Sequence, residues 1–436
     1  MFNSEALTKV QSIILVVVIV VAALGGVVAY ILLSGQEESS ETIKIGILAD
    51  LDGSGKSLWQ GAVLAAEQVN AEGGVLGRNF EIVAQDDDSE SGGGDVIIAT
   101  NAFNRLISVD KADFIISGCG PTFSSLYQEL VSQHKIILFH GGDPADQLTQ
   151  NVHDDYDKYK YYFRYGVLLN KTVNTVMAAD SILACREYTG FNKIAILSHD
   201  LGVGNYTYSD LVDYMQEYGF DVVYTVLIPF NTVDFSSFFA QAEAAGAEIL
   251  YPIIFGQAGI PFVKEYYDRQ SPMVMWGLPN LGSDFWEVTG GKCECVTSAG
   301  HAISTGYPLT SRVMPTREAY FDRWGEEIDA ITAFVYDVVR LILPDAIKRA
   351  GTFETEEVIA ALESIEIETS LARKLVFTSS HDVLVVRDSG DFWLFCLFQW
   401  QNGIQVPVYP PNIMDEAEVT YTYPEWPGPW DNLNSS

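Results

Sequence analysis

The chain has 436 residues, 58 of them Asp or Glu against 25 Lys or Arg, for a formal charge of −33 at neutral pH. Such a surface repels nucleic-acid phosphates and anionic lipid, which excludes a non-specific binder of nucleic acid or of membrane surfaces. Hydrophobic residues make up 48% of the chain without a long low-complexity block, which excludes a disordered protein, and the length suits two or three domains.

The first element is an uncharged apolar run, Ile13–Leu33, long enough at about 1.5 Å per residue to cross a hydrocarbon core roughly 30 Å thick. Lys9 and the amino terminus flank it on one side, Glu37, Glu38 and Glu41 on the other. The positive-inside rule then predicts residues 1–12 in the cytoplasm, a single-pass transmembrane anchor helix over 13–33, and the main domain outside the cell membrane. The run is long for a cleaved secretory signal, and no small-residue cleavage site follows it. Lys9-Val10-Gln11-Ser12 also resembles pilin-like signals, whose processing keeps the apolar segment. No cysteine precedes Cys119, which argues against a lipid-anchored cysteine at a processed N-terminus. Residues 34–42 read as a polar linker.

Beyond the linker, short β-rich apolar runs alternate with helix-length segments. Ile43–Leu48, Phe80–Ala84, Phe114–Ile116 and Ile136–Phe139 form a first set of strands; Ile194–Leu197, Val222–Val226, Ile249–Ile253 and Met273–Trp276 form a second. Nearly continuous apolar strands separated by helices predict parallel sheets covered on both faces, so the fold class is α/β, with two doubly wound parallel-sheet lobes. After the first strand, Leu58, Ala62, Ala65 and Val69 recur at helical spacing, Ser57 and Gln60 are placed as a capping box, and Gly73-Gly74 end the helix. The polar stretch Asn151–Arg164 reads as a solvated insertion near the crossing between lobes. Past Ser304 come helices over Ile328–Leu343 and Glu356–Leu362, then strands at Lys374–Phe377, Val383–Arg387 and Phe392–Trp400. The Pro- and aromatic-rich tail over 413–436 is predicted to be extended, packed on the surface or free.

Several motifs exclude chemistry. Asp52-Gly53-Ser54-Gly55-Lys56-Ser57 sits between a strand and a helix, but Asp50 stands where a phosphate loop needs glycine, and a carboxylate there repels phosphate. No nucleophile elbow or zinc-protease helix occurs among the six dispersed histidines, so no catalytic residue, metal site or cofactor is assigned and the chain is read as a non-enzyme. His140 and His199 each end a strand, where ligands bind, and are placed as contacts rather than bases. Asp86-Asp87-Asp88-Ser89-Glu90 reads as favourable charge at a helix N-terminus. Five scattered cysteines, Cys119, Cys185, Cys293, Cys295 and Cys396, are too few for a disulfide scaffold, although one or two bridges are open outside the cell. Sequons at Asn170, Asn205 and Asn434 permit glycosylation, with Asn205 expected unmodified because a glycan there would obstruct the cleft.

Ile43-Lys44-Ile45-Gly46-Ile47-Leu48, Gly61-Ala62, the turn Asn70-Ala71-Glu72-Gly73-Gly74-Val75-Leu76-Gly77-Arg78 and the acidic Asp86-Asp87-Asp88 follow one another in the first lobe. Together they resemble the leucine/isoleucine/valine-binding family of extracellular solute-binding proteins, the type I periplasmic-binding fold. Phe114-Ile115-Ile116-Ser117-Gly118, Lys193-Ile194-Ala195-Ile196, Tyr336-Asp337-Val338 and Phe398-Gln399-Trp400 extend the similarity over about Ile43 to Val408.

The resemblance implies a first lobe over 43–165 and 302–385 and a second over 166–301 and 386–412, closing on a small ligand at the strand carboxyl ends. It carries the ligand's carboxylate and amine to Thr122, Phe123 and Ser124 after the third strand and to Gly142 and Asp143 after the fourth. Thr122 is the chosen hydroxyl donor and Asp143 the acceptor. The family's second-lobe tyrosine and glutamate fall on Ile254-Phe255 and Pro279-Asn280, so an anion beside the ligand ammonium is missing there. Trp59, Phe123, Tyr206 and Phe255 are placed as apolar walls, with Asn280 polar. The implied function is capture of a small polar solute (an amino acid, amide or related compound) for ABC permease and ATPase subunits. The alternative is a sensory ectodomain with a separate signalling partner.

Overall fold

The computed structural model describes residues 42–89, 94–120, 122–200, 202–279, 282, 284–387, 389–392 and 396–433, excluding the side chains of 167–168 and 202–207. The anchor run Ile13–Leu33 lies outside the described residues, among which no helix is long and apolar enough to cross a membrane.

The first half of the chain alternates β1 (Ile43–Ala49), α1 (Gly55–Ala71), β2 (Phe80–Asp86), α2 (Val96–Arg105), β3 (Phe114–Ser117), α3 (Ser124–His134), β4 (Ile137–Gly142), α4 (Asp146–Asp154) and β5 (Tyr162–Leu168). The strands form one sheet in the order β2-β1-β3-β4-β5, every pairing parallel. Ile43, Ile45, Ile47 and Leu48 of β1 are all fully buried, as expected of a central strand covered on both faces.

The chain then builds α5 (Lys171–Thr189), β6 (Lys193–His199), α6 (Gly202–Glu217), β7 (Asp221–Ile228), α7 (Ser236–Ala244), β8 (Ile249–Ile253), α8 (Gly259–Arg269) and β9 (Val274–Met275), a second parallel sheet ordered β7-β6-β8-β9. β10 (Leu278–Pro279) and β11 (Thr297–Gly300) follow. Next, α9 (Val313–Trp324), α10 (Ala330–Asp337) and α11 (Thr355–Glu363) return to the first core, and β12 (Cys396–Gln401) and β13 (Ile404–Tyr409) complete a mixed sheet, β10-β11-β12-β13. The Thr297 hydroxyl joins this sheet to its neighbour, donating to the Met275 carbonyl and accepting from the Gly277 amide, both at 2.9 Å.

Two apolar cores result. One gathers residues from 43–177 and 302–383 together with Cys396, Phe398 and Ile413, the other residues from 178–299 and 397–430, so the chain passes between them three times and its last segment packs on both. In the first, α1 and α10 approach closely at Gly61, where a β-carbon would lie 2.9 Å from the Thr332 carbonyl oxygen. α10 continues through one widened turn at Val338–Ile342 to Ala350. At that widening the buried Asp337 carboxylate accepts from the Tyr165 hydroxyl (2.8 Å) and from the amide and hydroxyl of Ser370 (3.1 and 2.9 Å). Burial raises its pKa to about 6 against these hydrogen bonds.

Several expectations are corrected. Asn151–Arg164 is solvent-exposed over 153–158, as expected, but it is no insertion: it completes α4 and enters β5, where Tyr162, Phe163 and Arg164 are fully buried. The capping box of α1 is absent; Ser57 bonds to the Ser54 carbonyl, and Gln60 instead accepts from Tyr320. Lys374–Phe377 and Val383–Arg387 make only isolated bridges, Ile367 with Leu375 and Phe377 with Val383. Asn170 caps α5 by accepting from the Val173 amide, while its amide nitrogen donates to Asp382 at 2.8 Å. None of the five cysteines forms a disulfide.

The tail is neither free nor loosely attached. Tyr421, Trp426 and Trp430 are buried on the second core; the Trp426 indole donates to the Ser271 carbonyl (2.9 Å) and Trp430 to that of Pro424 (3.0 Å). Trp430→Ala should therefore cost about 3–5 kcal/mol, the usual loss for a buried aromatic, read as a lower urea midpoint. A midpoint equal to the parent's would show that the tail contributes nothing.

Candidate ligand-binding site

In a doubly wound sheet the strand carboxyl ends part at a switch point, here between β1 and β3. The register sets Ala49 beside Asp86, Leu48 beside Ser117, and Ser117 beside His140, so the residues following four strands share one edge. A cavity of about 60 Å³ opens there, lined by Asp87, Ser89, Gly118–Gly120, Thr122–Ser124, Tyr127 and His140.

The loop after β1 is closed on itself. The amides of Asp52 and Gly53 donate to the Asp50 carboxylate at 3.1 and 3.0 Å. Gly55 donates to the Asp50 carbonyl so closely that a β-carbon would sit 2.4 Å from that oxygen. The loop amides that a phosphate would need are spent, in agreement with the sequence.

Asp87 turns into the cavity instead of serving a helix. The cap of α2 is Asp95, whose carboxylate accepts from the Ile97 amide at 2.7 Å. The buried Asp87 carboxylate accepts from the Tyr127 hydroxyl (2.6 Å) and the Ser89 amide (3.1 Å). Burial holds its pKa above the ordinary carboxylate range, against these hydrogen bonds and a further one from the Ser89 side chain, with the charge of Asp86 adding to the rise. His140 is buried as well, its Nδ1 2.6 Å from the Ser117 hydroxyl oxygen, while its Nε2 makes no hydrogen bond. Burial pushes the imidazole pKa down to about 4; Asp143 and the Gly120 backbone oppose the shift and Arg164 adds to it. The ring is neutral at physiological pH.

Of the residues expected from sequence, Thr122, Phe123 and Ser124 line this cavity. Thr122 is exposed and donates to the Ser89 carbonyl at 3.3 Å, and Phe123 and Ser124 are buried. Asp143 lies behind them: its carboxylate accepts from the Ser124 hydroxyl and, in an Asx-turn, from the Ala145 amide at 2.6 Å. The Gly142 carbonyl accepts from the Gly120 amide at 2.9 Å, lacing the ends of β3 and β4 together. Trp59 packs against Trp324, ring centroids 6.0 Å apart. Phe255 lies at the second lobe's own switch point, between β6 and β8, where its amide donates to His199 Nδ1 at 3.1 Å. The Tyr206 side chain and Asn280 lie outside the described residues. Asp87, Tyr127 and Ser117 were not singled out as ligand residues in the sequence. Asp87 was in view there, but its acidic neighbours suggested helix charge.

Among the described residues no group of three His, Cys, Asp or Glu side chains could hold a metal ion. The arrangement presents buried hydrogen-bonding groups to a small polar molecule. Its pH behaviour follows from His140. The unfolded chain takes up a proton near pH 6.5 that the folded chain refuses until about pH 4, so this residue's contribution to stability is lost as pH falls through that window. His140→Asn should flatten the fall by at most roughly 3 kcal/mol. Parallel melting curves for parent and variant across the window would refute this.

Residues 42–388 match the family model described as Periplasmic binding protein. The chain is 24% identical over 403 residues to the Leu/Ile/Val-binding protein homolog 7 of Brucella suis biovar 1 (strain 1330), covering 87% of this chain and 94% of that one. A solved chain from Silicibacter pomeroyi, assigned to a branched-chain amino acid ABC transporter, superposes with a TM-score of 0.75 at 20% identity, covering 89% of this chain and 100% of that one. The branched-chain amino acid transporter substrate binding protein LivJ from Streptococcus pneumoniae, in complex with isoleucine, gives 0.66 at 16% identity, with 84% and 98% covered. With two parallel-sheet lobes, a polar cavity at the strand ends and a family match over most of its length, the chain belongs to the periplasmic binding protein family.

Proposed function

We propose that the protein captures a small amino-acid-class solute outside the membrane and presents it, unchanged, to the permease and ATPase subunits of an ABC importer. The observation that carries this reading is the position of the cavity at the switch point of the first sheet, its rim made of buried polar groups. The cavity is far smaller than the roughly 300–1,000 Å³ of ordinary ligand pockets, so the first lobe offers one wall and closure of the second lobe completes the site. On this reading Thr122, Ser124 and the Gly118–Gly120 backbone meet the ligand's polar end, with Gly142 and Asp143 fixing the turn behind them. Phe123 supplies an apolar surface, and Phe255 is the second-lobe residue expected to meet the ligand.

The names of the relatives make branched-chain amino acids the first ligands to try. Tethering through Ile13–Leu33 is part of the same proposal and rests on the charge asymmetry about that run.

A thermal-shift series on the purified full chain, with leucine, isoleucine, valine, their amides and short organic acids, tests the reading. A ligand at 100 times its dissociation constant adds about 2.7 kcal/mol, and it should be recovered chemically intact. No shift with any compound, or turnover that persists through repurification, would sink it.

A further inference from the structure

We propose that two apolar patches, Val96, Ile97 and Ile98 on the first lobe and Leu227, Phe230 and Val233 on the second, meet across the mouth of the cleft and clasp it shut when the lobes close on a solute. The inference rests on the solute-capture reading, from which it takes the closing motion, and adds the surfaces that hold the closed form.

The patches stand out from the surface around them. Val96, Ile97 and Ile98 are 57, 69 and 42% exposed, and Leu227, Phe230 and Val233 are 41, 52 and 78% exposed. No other stretch of seven described residues holds three exposed large hydrophobic side chains. Single exposed apolar side chains are ordinary, but a group of them marks a contact surface.

Both patches occupy the same place in their lobes. Val96, Ile97 and Ile98 form the first turn of α2, which follows the edge strand β2; Leu227 lies on the edge strand β7, and Phe230 and Val233 in the loop after it. Each patch adjoins its own lobe's side of the cleft. A β-carbon on Gly94, two residues before Val96, would lie 2.6 Å from the Phe123 ring and 2.7 Å from the Thr122 methyl group, and both residues line the cavity. The Phe230 ring stands edge-on to His199 with centroids 5.1 Å apart, and the same imidazole accepts from the Phe255 amide at the second switch point.

The joints between the lobes lie on the opposite side. The returning segment bridges to β5 between Asp382 and Arg164, at the other edge of the first sheet from β2. The mixed sheet that receives the last crossover lies beyond β9, at the other edge of the second sheet from β7. Rotation about joints on that side moves the β2 and β7 edges furthest and brings them together. Apolar surface that meets there leaves water and favours the closed form without touching the ligand. The clasp therefore strengthens every solute alike.

The test reads the contact directly in the full chain. Ile97→Cys combined with Val233→Cys is treated with a short bis-maleimide, alone and with leucine, isoleucine or valine, and the linked peptide is identified by mass spectrometry. Ile97→Cys with Ile404→Cys is the control, because Ile404 is also exposed but lies on β13, the far edge of the mixed sheet. The 97–233 link should form within one chain, at least threefold faster with an amino acid that raises the melting temperature, and the control should not link. By calorimetry, Ile97→Asn and Phe230→Asn should each weaken every amino acid that binds by about three- to tenfold. The two together should weaken it by less than the product, since either removes the same contact. A missing 97–233 link, or one that forms only between two chains, overturns the clasp and leaves solute capture standing. Unchanged affinity in both Asn variants does the same and assigns the patches to a permease. If no amino acid binds the parent, solute capture fails, and the link in the ligand-free chain still decides whether the patches meet.

Discussion

One buried guanidinium, that of Arg164, ties the ligand-binding edge to the segments that join the lobes. It has no solvent exposure. Its Nε pairs with Asp382 at 2.9 Å, one Nη donates to the Asp143 carbonyl, and the other donates to the Ala145 carbonyl and the Thr149 hydroxyl at 3.1 and 3.0 Å. Asp382 in turn accepts from Thr149 and from Asn170, the residue that caps α5 as the chain enters the second lobe. A single side chain on β5 thus fixes the turn after β4, the returning strand-like segment and the first crossover. Burial raises the pKa of Asp382 while Arg164 opposes it. Removing one member of such a pair typically costs about 3–5 kcal/mol, because the other stays buried without a partner. The energetic value of the pair lies less in net stability than in holding three chain segments in one arrangement.

That arrangement explains why the site can be both stiff and incomplete. The first-lobe wall is laced by short contacts: Ser117 to His140, Ser124 to Asp143, the Gly120 amide to the Gly142 carbonyl. These groups are oriented before any ligand arrives, which limits the entropy lost on binding. The facing strand ends are organised in the same way, by the hydrogen bond from Phe255 to His199 across the second switch point. Each lobe has its own core, so the packing within one lobe does not depend on the contacts it makes with the other.

The polar groups of the first wall divide by how far they are satisfied. Asp50 and Asp143 are acceptors for their own loops and shape the backbone. His140 is equally buried but its Nε2 makes no hydrogen bond, and the cost of leaving that buried polar capacity unused is what makes it a candidate for contact with a ligand. The acidic exterior is a separate matter. A minority of its carboxylates sit in surface ion pairs such as Arg323 with Glu67 and Arg373 with Glu416, which contribute little to stability.

By itself the sequence determined the two sets of parallel strands, because continuous apolar runs such as Ile43–Leu48 and Ile249–Ile253 are what a doubly covered strand requires, and pattern alone carries that information. Of the residues it singled out, Thr122, Phe123 and Ser124 line the cavity at the strand ends, whereas Gly142 and Asp143 after β4 do not. Only the tertiary structure decided the roles of β5, the tail and the charged residues. Tyr162, Phe163 and Arg164 follow a polar, tyrosine-rich stretch and carry no strand pattern; they are buried because partners remote in sequence, among them His381 and Asp382, cover them. Trp430 is buried for the same reason, against a core formed 150 or more residues earlier in large part. Asp87 and Asp143 look alike in sequence, each in a loop after a strand. Each accepts from one neighbouring amide and from a hydroxyl; what separates them is that Asp87 lines the cavity while Asp143 lies behind it, and that depends on three-dimensional packing that no local pattern encodes.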